Sequence, residues 1–88
     1  MSRASGPVRS RDVGNVLAIT PAGHLTLRAS GPEVVPEGTL VSDARGNVRG
    51  RVIRVFGPVS RPYLSVQPRR TPSASEGAAL LGTTLVRE

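Results

Sequence analysis

The chain of 88 residues is short and basic, with 12 Arg, no Lys and six acidic residues, which gives a formal net charge of +6. This length predicts one domain with a small core. The absence of Cys excludes disulfides and thiolate metal sites, and no apolar run approaches the roughly 18 residues of a membrane span. No apolar segment follows the basic N-terminus as in a signal peptide, so we expect an intracellular protein.

The N-terminal half predicts a flexible basic arm followed by a β-hairpin. Residues 1–12 are rich in Arg, Ser, Gly and Pro, a composition typical of a flexible arm, and residues 13–88 then form the core domain. Residues 13–20 are apolar and β-prone, and Leu25 and Leu27 alternate onto one face of the next segment. Pro-Ala-Gly between the two segments suits a type I turn.

The middle of the chain predicts two more strands around a tight turn. Residues 33–35 lie between two proline breaks and are expected to form a loop, and residues 39–42 restart as a short strand. Asp43 begins a turn in which its side chain bonds the backbone. Residues 48–56 follow as a strand whose alternation slips just after Gly50, which predicts a β-bulge or sharp bend.

The C-terminal part predicts two strands and one short helix. Residues 64–67 alternate, and residues 83–87 form a last strand. Between them Ser73 and Glu76 have the spacing of a capping box, and the following residues allow at most two helical turns. In total, six short strands joined by turns predict an all-β fold. We expect a small six-stranded β-barrel with a short helix before the last strand, because closure removes exposed strand edges.

Residues 56–63, FGPVSRPY, contain the only Phe and the only Tyr of the chain and two of its eight Pro. The prolines predict a rigid connection between two strands, and rigid loops on a β scaffold commonly carry recognition. The aromatic residues either fill the core or form a contact surface. We expect Phe56 to face the core. The expected contact surface and its charged rim comprise Pro58, Val59, Pro62 and Tyr63, with Arg54 and Arg61.

Candidate catalytic residues are scarce. The single His, His24, directly follows a turn and is expected to face solvent. The carboxylates lie in turns, loops or termini, where Asp43 has a turn role and Glu76 a capping role. No acid–base pair, metal-ligand spacing or phosphate-cradling Gly loop stands out. The sequence therefore predicts a binding module or subunit, with no catalytic residue, metal site, cofactor or small-molecule substrate.

The arginines are concentrated in one part of the chain. Seven of them lie between Arg45 and Arg70, and no acidic residue lies between Asp43 and Glu76. This density indicates an acidic partner or nearby nucleic acid, whereas the alternative is a solvated basic surface. Proteins that bind single strands interleave aromatic residues with basic ones. Since only Phe56 and Tyr63 offer rings, base-specific recognition has little support.

A longer motif contains the octapeptide. Residues 50–66, GRVIRVFGPVSRPYLSV, resemble the pattern G-x-V-x-x-V-F-G-P-V-x-x-P-Y-x-x-V. This pattern is typical of the Gar-type small subunit of box H/ACA ribonucleoproteins, the RNA-guided pseudouridine synthases. Residues 14–17 and 24–28 resemble the family's first two strands, and residues 82–88 its closing strand. The resemblance extends over roughly residues 13–88, with the octapeptide as its most specific part.

The resemblance implies a fold and a non-catalytic function. The fold is a six-stranded β-barrel like the second domain of translation elongation factors. The subunit would bind the dyskerin-type pseudouridine synthase, influence the mobile loop that clamps substrate RNA, and so promote substrate loading and product release. Guide RNA and substrate rRNA would be held chiefly by other subunits, and no membrane is involved.

The sequence also resembles one branch of that family more than the other. Eukaryotic members carry long Gly-Arg-rich tails, which this sequence lacks. It therefore resembles the archaeal form, which implies a cytoplasmic location, whereas a eukaryotic member would be nucleolar. Two alternatives remain: an independent RNA-binding β-barrel, and the core domain of the related H/ACA assembly factor.

Overall fold

A computed structural model describes residues 12–31, 35–58 and 60–88, which form a closed antiparallel barrel of six strands. The strands are β1 (Asp12–Ile19), β2 (Leu25–Ala29), β3 (Leu40–Asp43), β4 (Arg49–Phe56), β5 (Tyr63–Pro68) and β6 (Thr84–Arg87). One helix, α1 (Ala74–Leu80), precedes β6. The all-β class, the six-stranded barrel and the short helix before the last strand are thereby confirmed. Of the predicted arm, residues 1–11 lie outside the described residues, and Asp12 is the first residue of β1.

The barrel closes in the order β1-β2-β5-β4-β3-β6. Every neighbouring pair is antiparallel, and β6 closes the barrel between β3 and β1. The pairing of β2 with β5 joins strands that are far apart in the sequence. As a result β5 lies between β2 and β4, and side chains from all three strands meet on one part of the outer surface.

The core is built from aliphatic side chains. Leu25 and Leu27 both point inward, which confirms the alternation predicted for β2. Val35, in the segment predicted as a loop, is also buried although it belongs to no strand. Burying each such side chain contributes about 1.5–3 kcal/mol before the cost of chain ordering. The buried cluster comprises Val13, Val16, Leu25, Leu27, Val35, Val41, Val52, Leu64, Val66, Leu80 and Leu85.

Both predicted tight turns form. In the first turn the Gly23 N–H donates to the Thr20 carbonyl at 2.8 Å. In the second, the Asp43 carbonyl accepts from Gly46 N–H at 3.0 Å, and Asp43 Oδ1 accepts from the backbone N–H of Asn47 at 2.7 Å. These short-range bonds confirm that Asp43 acts through its turn.

The helix begins with the predicted capping box. Ser73 Oγ accepts from the Glu76 N–H at 3.2 Å, while Glu76 Oε1 accepts from the Ser73 N–H at 2.9 Å. The hydrogen bond from the Ser73 backbone lowers the pKa of Glu76 below its ordinary value of 4.5, and the nearby Arg70 guanidinium is the next largest cause of this shift.

Gly77 lets α1 pack closely on β1, because a Cβ there would lie 2.7 Å from Ile19 Cδ1. Neither α1 nor any other helix among the described residues has the length and apolarity needed to cross a membrane.

A bulge interrupts β4 where the change of alternation was predicted, and the structure places Phe56 on the outer face. The register against β5 shifts between Val52 and Arg54, so that a bulge interrupts the alternation. Val52 and Val55 then pack inward, whereas Arg54 and Phe56 lie on the outer face. The prediction that Phe56 faces the core was therefore wrong: the side chain is 36% exposed.

Candidate functional site

Four side chains from three neighbouring strands form a continuous surface that we name the aromatic–arginine row: Arg54 and Phe56 of β4, Tyr63 of β5 and Arg28 of β2. The Phe56 and Tyr63 rings are stacked, with centroids 5.7 Å apart and an interplanar angle of 22°. Arg28 Cζ lies 4.7 Å from the Tyr63 centroid, and Arg54 Cζ lies 5.0 Å from the Phe56 centroid. Each ring therefore carries one guanidinium at cation–π distance.

Strand register brings these residues together. Tyr63 pairs directly with Phe56 on one side and with Arg28 on the other. Directly opposed side chains in an antiparallel pair have Cβ atoms about 4.5–5.5 Å apart, close enough for ring stacking and cation–π contact. Arg54 joins the row because it is two residues from Phe56 and shares its face of β4.

Arg28 fixes the orientation of the Tyr63 ring. Its Nη1 donates to the Tyr63 hydroxyl at 2.9 Å, and both residues are half-buried. Arg28 Nε is buried and has no hydrogen-bond partner among the described residues. A guanidinium withdrawn from water in this way interacts more strongly with the ring beneath it. The Tyr63 ring is thus held from the β2 side before any partner binds.

Gly57 supports the same ring from the other direction. Its φ of +89° lies in the left-handed region that glycine favours. A Cβ at this position would also lie 2.8 Å from Tyr63 Cδ2, well inside ordinary van der Waals contact. The sequence therefore needs glycine here both to turn the chain after β4 and to let the ring approach the backbone.

The loop between β4 and β5 is tied to the end of β2. Arg61 Nε donates to the Ala29 carbonyl at 3.0 Å, and the Pro62 carbonyl accepts from the Ala29 N–H at 2.9 Å. Pro58 is exposed at the start of this loop, and Pro62 is half-buried at its end. Val59, which was predicted to belong to the contact surface, lies outside the described residues.

The structure therefore brings together part of the predicted site and adds two residues to it. Arg54 and Tyr63 lie in the aromatic–arginine row, and Arg61 fastens the adjoining loop. Phe56 was assigned to the core, although its spacing of two from charged Arg54 indicated the outer face. Arg28 was missed because its proximity to Tyr63 depends on the pairing of β2 with β5, for which the sequence contains no local signal.

The charge of the site determines what it can bind. None of Arg28, Arg54 and Arg61 forms an ion pair with a carboxylate of the described residues. The site thus offers two stacked rings with a guanidinium over each, a combination suited to an apolar side chain bordered by carboxylates or backbone carbonyls. Within the described ranges, no group of three or more His, Asp and Glu side chains is placed to hold a metal ion.

His24 has no evident part in this site. It is half-buried beside the first turn, where its backbone N–H donates to Thr20 Oγ1 at 3.1 Å.

A scan of the whole chain against protein-family models finds no match, and a search of curated proteins finds no significant match. The functional argument therefore depends on the residues of the motif and on the geometry of the aromatic–arginine row.

Proposed function

We propose that the chain is a non-catalytic protein subunit of a box H/ACA ribonucleoprotein that binds the dyskerin-type pseudouridine synthase subunit. It makes this contact through the aromatic–arginine row and the adjoining loop 57–62, and it promotes substrate RNA loading and product release. The observation that carries the proposal is the stacked pair of Phe56 and Tyr63 on the outer face of the barrel.

Both aromatic residues lie outside the core, where they are available to a partner. A chain of this size has a small core, and aromatic side chains have the largest apolar area to bury. Here Phe56 lies on the outer face and Tyr63 is only half-buried, while the core is built from Val and Leu. Aromatic residues and Arg are also the residues that most often dominate the energy of protein interfaces. These facts favour a protein-binding surface.

The surface is also pre-organised. The Tyr63 ring is fixed by Arg28 and by the Gly57 backbone, and Arg61 fastens the loop to β2. Pro58 and Pro62 further restrict the unbound loop. Binding then orders few additional side chains, each of which would otherwise cost about 0.5–1.5 kcal/mol.

The match to the family motif supports the choice of partner. Several of the residues that the motif specifies have a structural role in this surface: Phe56, Gly57 and Tyr63 form the stacked contact, and Pro62 anchors the loop. The closed six-stranded barrel is also the fold that the resemblance implies. The motif and the geometry thus favour the same residues by separate routes.

A subunit without catalytic groups can still control turnover. If it binds the synthase's substrate-clamping loop more tightly in one position than in another, it shifts the population of the loop toward that position. A differential affinity of about 1.4 kcal/mol changes the ratio of positions tenfold. The aromatic–arginine row supplies the contact on this chain, and the synthase supplies the movable loop.

The test is an affinity measurement with purified synthase by isothermal titration calorimetry. We expect Phe56→Ala to weaken binding by about 2 kcal/mol, or about 30-fold, as an interface anchor would. Leu17→Ala is the matched control, because Leu17 is also an exposed apolar residue, at 51%, but it lies on β1 beside α1 and is not one of the four residues of the row. Equal affinities for Phe56→Ala and the parent chain would contradict the proposal.

The functional effect is measured separately by guide-directed pseudouridylation under multiple-turnover conditions. We expect addition of the chain to increase the turnover rate, and Phe56→Ala to lose that increase at concentrations where Leu17→Ala retains it. The double variant Pro62→Ala with Tyr63→Ala extends the test to the end of the loop. Circular dichroism of each variant establishes that the barrel remains folded.

A further inference from the structure

A second surface lies at the opposite end of the β4–β5 hairpin. A cavity of about 360 Å³ is lined there by Arg49, Arg51 and Arg69, together with Gln67 and Glu88. An adjoining cavity of about 280 Å³ shares Arg49 and Arg69 and is bordered by Arg70. We name this surface, defined by Arg49, Arg51, Arg69 and Arg70, the arginine groove.

Strand pairing forces the arginines of the groove together. Arg69 N–H donates to the Arg49 carbonyl at 2.8 Å, next to the paired residues Gly50 and Pro68. Arg51 is two residues from Arg49, and both are exposed on the same face of β4. Like charges that face each other across two strands destabilise a sheet. A negative charge placed among them would relieve this repulsion.

The described residues supply negative charge to only two of the four arginines. Arg49 Nε lies 3.6 Å from Glu88 Oε2, and Arg70 Nη2 lies 3.2 Å from Glu76 Oε2. Arg51 and Arg69 have no ion-pair partner among the described residues. Both are exposed, so each guanidinium retains donors for an external anion.

From this arrangement we propose that the arginine groove binds the phosphate backbone of an RNA strand. The guanidinium fork matches phosphate oxygens in a bidentate manner. Two adjoining cavities that share arginines suit successive phosphates of a chain better than one isolated anion. No aromatic side chain lines either cavity, so the contact lacks base stacking and is independent of base identity.

This contact is separate from the proposed binding of the synthase. The nearest members of the two surfaces, Arg51 and Arg54, are three residues apart on β4, which corresponds to about 10 Å along an extended strand. The two surfaces share no residue, and Arg49 lies farther along β4 from the row than Arg51 does. The inference goes beyond the proposed function and does not depend on it, since it rests only on the four arginines and their geometry.

The experiment measures the affinity of the full chain for a fluorescein-labelled single-stranded RNA of 20 nucleotides by anisotropy at several salt concentrations. Each phosphate contact contributes about 0.7 to the slope of log affinity against log salt for single strands. For Arg51→Gln with Arg69→Gln we expect the slope to fall by about 1.4. The dissociation constant at 0.15 M salt should rise about 15-fold.

Single variants provide a charge-matched control. Arg51→Gln should weaken binding about fourfold and lower the slope by about 0.7. Arg45→Gln removes the same charge from the exposed turn between β3 and β4, outside both cavities, and should change affinity less than about twofold. Equal losses for Arg45→Gln and Arg51→Gln would overturn the proposal, because they would indicate attraction to the whole basic surface. Unchanged binding by the double variant would also overturn it.

Competition distinguishes RNA from other polyanions. Polyglutamate and vesicles containing phosphatidylserine are titrated against the bound RNA at matched concentrations of negative charge. RNA binding that survives both competitors supports the proposal, whereas displacement by either overturns it in favour of an acidic protein or a membrane surface. The affinity of Arg51→Gln with Arg69→Gln for the synthase is measured in parallel. Loss of RNA binding with intact synthase binding separates this inference from the proposed function.

Discussion

The contact between Gly57 and Tyr63 provides the sharpest test of the aromatic–arginine row. Gly57→Ala introduces two separate costs: a left-handed backbone for a residue with a Cβ, and a Cβ only 2.8 Å from Tyr63 Cδ2. Gly38→Ala is the matched control. Gly38 has a φ of +91°, but a Cβ there would meet no atom within 4 Å. The two variants therefore share the backbone cost and differ in the contact with the ring.

The expected magnitudes follow from this difference. A left-handed conformation costs a residue with a Cβ about 1–2 kcal/mol, and this cost applies to both variants. Replacing Gly by Ala also lowers the conformational entropy of the unfolded chain, and this stabilising effect is common to both variants. In Gly57→Ala the Tyr63 ring must move, which removes part of a stacked pair worth about 0.5–1.5 kcal/mol. We expect Gly57→Ala to lose about 1 kcal/mol more of the free energy of unfolding than Gly38→Ala.

Urea unfolding measures the free energies, and Tyr63 reports on the site itself. With a slope near 1–3 kcal/mol/M, a difference of 1 kcal/mol separates the two midpoints by about 0.3–1 M urea. Because the chain contains one Tyr and no Trp, the tyrosine band of its near-ultraviolet circular dichroism and its tyrosine fluorescence arise at Tyr63. We expect the native-state signal to change in Gly57→Ala and to stay unchanged in Gly38→Ala.

Two results would refute this reasoning. Equal free energies of unfolding for the two variants would mean that the ring does not press on the backbone at Gly57. An unchanged Tyr63 signal in Gly57→Ala would mean that the ring keeps its position despite the added methyl group. If the ring moves as expected, the synthase affinity of Gly57→Ala should fall, because the pre-organised contact surface is disturbed.

Three further predictions address the row, the core and the helix. Tyr63→Phe removes the acceptor of the bond from Arg28 and should cost about 1–3 kcal/mol in urea unfolding, and no change would mean that water replaces the hydroxyl. Leu64→Ala deletes a fully buried side chain and should cost about 2–5 kcal/mol by the same measurement, so a cost below 1 kcal/mol would contradict its place in the core. The lowered pKa of Glu76 implies a stabilisation that is complete above pH 4.5 and is lost as pH falls through the folded-state pKa. Glu76→Gln should therefore be less stable than the parent chain at pH 7 and closer to it at pH 3, and a pH-independent difference would exclude this linkage.

Local signals in the sequence were sufficient to predict most of the elements. The alternation of Leu25 and Leu27, the turn at Asp43 and the capping box at Ser73 each depend on residues within a few positions of one another. Hydrogen bonds and side-chain direction over such short separations follow from backbone geometry. The slip in β4 was also visible, as a change in the parity of its arginines after Gly50.

The composition of residues 56–63 likewise identified the part of the chain that carries the candidate site, although not its geometry. Arg54 and Phe56 share a face of β4, so the charge of Arg54 already indicated the outer surface. The expected need for aromatic residues in a small core outweighed that signal. The core is instead closed by aliphatic side chains, including that of Val35, which belongs to no strand.

Only the tertiary structure decided which strands are neighbours. The pairing of β2 with β5 places Arg28 on Tyr63, and the close approach of β4 and β5 places Arg49 beside Arg69. The sequence by itself determined strands, turns and caps, because these depend on interactions between nearby residues. The aromatic–arginine row and the arginine groove depend on barrel closure, which joins distant strands to bury one shared core and thereby sets the register on the outer face.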